Sequence, residues 1–112
     1  MSLIVNLADY RRLKGHVYFA RPELSRLMSL YSTCVASGEW RDYAIDHETG
    51  MAVFSIFRHA HETPVFAIAK TVSMRGVEYT VYDHAHRLYR ATTLDEVLER
   101  LAKRLKRLRV VT

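Results

Sequence analysis

The chain has 112 residues, 49% of them hydrophobic and 26% charged, with a formal net charge of +5. That length and balance describe one globular domain that can bury a core without covalent staples, and they exclude a linker-rich or low-complexity chain. Cys34 is the single cysteine, which excludes an intramolecular disulfide framework; with no apolar run near the ~20 residues a bilayer span needs and no signal-peptide pattern in MSLIVNLADYRR, a cytoplasmic protein is expected.

Residues 1–18 mix apolar, basic and turn-forming residues without a period and read as an N-terminal arm, ahead of a single α+β domain over 19–112. The first firm element is a helix over 22–37. Pro22 suits the first turn, Glu23 suits its positive end, and Gly38 ends it. Leu24, Leu27, Met28, Tyr31, Cys34 and Val35 recur at helical spacing and form its apolar face. The period then changes to two. WRDYAIDHE is a strand, HETG a tight turn with Gly50 at the positive-φ position, and MAVFSIFRH the hairpin partner. AHETP is a loop, PVFAIAKT a third strand, SMRG a turn, VEYTVYD a fourth strand, HAHR another turn, and LYRA a short fifth strand. Thr93 and Glu96 have the spacing of a capping box, and Leu94, Val97, Leu98, Leu101, Leu105 and Leu108 form a long apolar stripe on a closing helix. The expectation is a two-layer α+β fold: helix, four- to five-stranded antiparallel meander, C-terminal helix.

Strands two and three are apolar on both sides, whereas strands one and four alternate with polar residues, as the centre and margins of a meander should. Phe54, Ile56, Phe66 and Ile68 oppose Val53, Phe57, Val65 and Ala67. Two helices on one face leave the other needing cover, so a homodimer is expected, with Ile68 taken as an interface position. The competing arrangements place one helix on each face or lay the N-terminal arm across the sheet.

Four stretches, ELSRLMSLY, GEWRDYAID, AVFSIFR and the P-x-F-x-I-x-K of PVFAIAK, resemble a family of small bacterial proteins known as a domain of unknown function. The resemblance spans residues 19–70. It implies a bacterial origin and a compact single domain, and it implies no activity.

Three features raise chemistry. His59 and His61 end strand two, and His84 and His86 follow strand four at the same end of the sheet, where residues two apart in an extended segment project together. The spacing between the two pairs fits no established zinc pattern, so polar residues at hairpin ends are the preferred reading and a histidine metal site is an alternative. Cys34 lies on an apolar helix face and reads as a structural thiol, and Asp42 and Asp46 as a solvated strand face. The last helix carries Arg100, Lys103, Arg104, Lys106, Arg107 and Arg109, making nucleic acid the other alternative partner. Its acidic start and basic finish equally suit the helix dipole. No catalytic motif or cofactor is indicated, and the sequence leaves any small-molecule ligand unknown. The preferred reading is a non-catalytic interaction or regulatory module that self-associates.

Overall fold

The computed structural model describes residues 17–36, 38, 40–58, 63–84 and 86–111, with side chains of the last helix described as far as 106. Helix α1 (Arg21–Ala36) is followed by strands β1 (Asp42–Glu48), β2 (Met51–Phe57), β3 (Phe66–Ser73), β4 (Gly76–Asp83) and β5 (His86–Ala91), then helix α2 (Leu94–Val111). The strands form one sheet in the order β1-β2-β3-β4-β5, each pair antiparallel. This is the α+β fold expected from the sequence, with five strands.

Local chemistry sets the element ends. The Ala20 N–H, one of the donors a helix start leaves unpaired, donates to Glu23 Oε1 at 2.6 Å. At α2 the complementary half of a capping box is present: the Glu96 N–H donates to Thr93 Oγ1 at 3.3 Å. The Glu96 carboxylate instead lies 3.6 Å from Arg100, one helical turn on. Gly38 follows α1 with φ of 79°, its N–H donating to Val35 O at 2.9 Å, and Gly50 closes the β1–β2 turn with φ of 73°. Both are left-handed positions that a Cβ disfavours.

Both described helices lie on one face of the sheet. The core joins Phe54, Ile56, Phe66, Ile68 and Val81 of the strands to Leu27 and Cys34 of α1 and Val97, Leu101 and Leu105 of α2. The arrangement with one helix on each face is therefore excluded. An arm laid across the other face concerns residues that, except for 17 and 18, lie outside the described ones.

Four local expectations are corrected. Ile68 is fully buried on the helix-covered face, so it is a core residue and not an interface position. Val17, at the end of the expected arm, is also fully buried, which puts the core's start ahead of residue 19. On α1, Leu30 packs against the core while Val35 is exposed, because the stripe through Leu27, Tyr31 and Cys34 passes Leu30. Finally, His86 and Arg87 belong to β5, not to a turn. His84 adopts φ of 48°, which tightens the turn, and a bulge opposite Val81 and Tyr82 restores the pairing.

Candidate functional site

The two faces of the same strands differ in side-chain size and charge. On the face away from the helices, register aligns residues in rows. Asp46, Val53, Ala69, Thr80 and Arg90 form one row, and Ala44, Ser55, Ala67, Tyr82 and Arg87 the next. Ser55, Ala69 and Thr80 are buried within these rows, while Val53, Phe57, Ala67 and Tyr82 remain half-buried. Among the described residues no helix lies on this face. Its margins are exposed and opposite in sign: Asp42, Asp46 and Glu48 share this side of β1, and Arg87 and Arg90 this side of β5. Arg90 Nε is 3.9 Å from Glu78 Oε2. The middle of this face is thus shielded from water within the chain, and its charged margins are what solvent reaches.

On the helix-covered face the alternation Phe66, Ile68, Lys70 points an ammonium inward. Lys70 Nζ donates to Glu23 Oε1 at 2.8 Å and to the Tyr18 carbonyl at 2.9 Å. The Tyr79 hydroxyl donates to Glu23 Oε2. The Lys70 and Glu23 side chains are each only 14% exposed. Burial pushes the Glu23 carboxyl up, but hydrogen bonds from Lys70, Tyr79 and the Ala20 N–H, with the Lys70 charge, outweigh it and hold the group below its usual range. Burial, then the hydrogen bond to Glu23 and its charge, push the Tyr79 hydroxyl well above the usual tyrosine range. At neutral pH the carboxylate is ionised and engaged by three donors, which makes it a poor proton acceptor. The cluster acts as a latch that ties the start of α1 and the residues before it to the middle of the sheet. An open cleft of ≈ 220 Å³ adjoins it, lined by Glu23, Arg26, Tyr79, Thr92, Thr93, Leu94 and Asp95, with Arg26 Nε 2.8 Å from Asp95 Oδ1.

Sequence reasoning did not find this latch, because Glu23 is explained by the helix dipole and Tyr79 by strand alternation. The available signal was Lys70, a cation at an inward position of a central strand, which requires a buried partner.

The histidines separate into two sets. His59 and His61 lie outside the described residues. His84 and His86 are both exposed; the His84 N–H donates to Val65 O at 3.2 Å, and its Nε2 lies 3.7 Å from Asp83 Oδ1. His84, Arg58, Thr63 and Val65 line a shallow cleft of ≈ 210 Å³ at that end of the sheet. Among the described residues no group of three or more His, Cys, Asp or Glu is placed to hold a metal ion.

The basic helix is partly committed to the fold. Arg104 Nη2 donates to Asp83 Oδ2 at 3.3 Å. Arg100 lies near Glu96, and its guanidinium sits 5.9 Å from the Tyr89 ring centre. Lys103 and Lys106 are exposed and, among the described residues, have no acidic partner. The side chains of Arg107 and Arg109 lie outside the described ones. Cys34 is fully buried, as its helix face predicts. None of the described helices is long and apolar enough to cross a membrane.

Comparison with curated proteins and with solved structures finds no match. The family model described as "Protein of unknown function (DUF2794)" matches residues 17–98, from the buried Val17 into α2, and the chain belongs to that family.

Proposed function

We propose that this chain is a non-catalytic bacterial cytoplasmic interaction module that self-associates. The observation that carries this reading is the asymmetry of the sheet. Large side chains, Phe54, Ile56, Phe66 and Ile68, fill the helix-covered face, while Val53, Ser55, Ala67 and Ala69 of the same strands form a flat floor on the other. Val53, Phe57 and Tyr82 on that face are only half-buried, and association removes such apolar area from water at about 25 cal/mol per Å². A two-fold dimer uses one patch twice and needs no second specialised surface.

The test is light scattering at micromolar concentration on the full chain and on Val53→Glu. The wild type should have twice the chain mass of 13.0 kDa. Val53→Glu should have the single-chain mass with an unchanged circular dichroism spectrum. A wild type at the single-chain mass would overturn the reading.

A further inference from the structure

The sheet ends in two unlike edge strands. β5 is basic and loses register with β4 at a bulge, a device that turns an edge away from further pairing. β1 keeps unbroken register with β2 from Asp42 to Glu48 and contains no proline or lysine. The turn at Thr49 and Gly50 closes on the Glu48–Met51 pair, so alternation assigns the bonds to β2 to Asp42, Ala44, Asp46 and Glu48. The N–H and C=O groups of Tyr43, Ile45 and His47 therefore point out from the edge. The Tyr43 N–H agrees, donating to the Asp42 carboxylate at 2.8 Å and not to β2. Among the described residues no backbone group pairs with the outward N–H groups of Ile45 and His47.

We propose that the outer edge of β1 takes up an extended segment of another protein as an added strand, one that alternates apolar and basic residues. Side chains on the two sides of the edge set that pattern. On the helix-covered side Tyr43 is 38% exposed, its ring 4.9 Å from that of Tyr31, and Val35, one turn beyond Tyr31, is 40% exposed. Apolar side chains of the added strand cover these. On the other side Asp42, Asp46 and Glu48 are exposed and, among the described residues, have no basic partner. Lysines or arginines of the added strand lie across from them, and opposite charges so placed stabilise a strand pair. A second copy's β1 would set acid against acid. A second copy's β5 has basic residues, Arg87 and Arg90, but its bulge interrupts the ladder, and head-to-tail pairing of this kind grows without closing. The edge lies apart from Val53, so this binding does not depend on self-association.

The probe is a short capped peptide alternating valine and lysine, with a valine–glutamate counterpart, titrated at low salt into full-length labelled protein and followed by amide NMR. The Ile45 and His47 amides should shift and saturate, with the lysine peptide bound about tenfold or more tighter than the glutamate one. Asp46→Lys, at an exposed position, should cut that preference about threefold or more. His47→Pro removes an outward donor that β2 does not use, so it should leave the thermal melt close to wild type and abolish binding. Absence of shifts at Ile45 and His47 would overturn the proposal, as would equal binding of the two peptides or a preference that Asp46→Lys leaves intact. A folded His47→Pro that binds normally would do the same. Peptide that dissociates a chain dimer would give the edge to β5 of a second copy and overturn the separate partner.

Discussion

The two faces of this sheet are built from alternate residues of the same strands, yet they do different work. Beneath the helices, Phe54, Ile56, Ile68 and Val81 are essentially inaccessible, and the inward-facing cation of β3, Lys70, has its charge matched by Glu23. On the other side the same strands carry valine, serine, threonine and alanine between an acidic and a basic margin. The covered face is organised for volume and for satisfying a buried charge. The other face carries smaller side chains between charged margins, with Ser55, Ala69 and Thr80 buried in its middle.

The strongest way to break this contrast is to place the same charge on each face. Ile68→Glu should cost about 4 kcal/mol or more in urea unfolding, because an unpaired carboxylate enters the filled core. Val53→Glu should cost less, about 1 kcal/mol, while abolishing the dimer, since Val53 is half-buried rather than enclosed in the single chain. Equal losses at both positions would remove the distinction between the faces. Next in size is the latch. Lys70→Met leaves the Glu23 carboxylate without its cation and should lower stability by about 2 kcal/mol, discounted for its partial exposure, and adding Glu23→Gln should return part of that loss.

The latch also predicts pH dependence with a definite sign. The folded Glu23 carboxyl lies below its usual range, so its contribution is present above the unfolded value and lost as pH falls through the folded one. Melting temperatures of Glu23→Gln should therefore decline less steeply than wild type on the acid side. The Tyr79 hydroxyl is displaced upward, so its contribution is full below the ordinary tyrosine value and lost only as pH rises through the folded one. Tyr79→Phe should remove that alkaline loss. The smallest effect is expected at the α2 cap, where Thr93→Ala should cost about 1 kcal/mol by leaving the Glu96 N–H without its hydroxyl partner.

The meander was legible because its turns are short and its strands alternate cleanly, and both helices were legible from caps and apolar stripes. The full length of β5 was not. A histidine in a left-handed turn and a bulge at Tyr82 are products of pairing, and HAHR in isolation resembles a longer loop. Which face the helices cover was hidden for a related reason, since β2 and β3 are apolar on both sides and hydropathy alone does not rank them. Size does: Phe54, Ile56, Phe66 and Ile68 share the face the described helices cover, and Ser55, Ala67 and Ala69 the other. The latch was hidden by distance, Glu23 lying 47 residues from Lys70 and 56 from Tyr79, and only Lys70's inward position hinted at it.

The most direct measurement is an isotope-filtered NOE experiment on a mixture of labelled and unlabelled full-length chains. The open-face dimer predicts intermolecular contacts from the Val53 methyls and the Tyr82 ring, with none from core methyls such as those of Leu101. Absence of intermolecular contacts, or contacts confined to the helices, would contradict it.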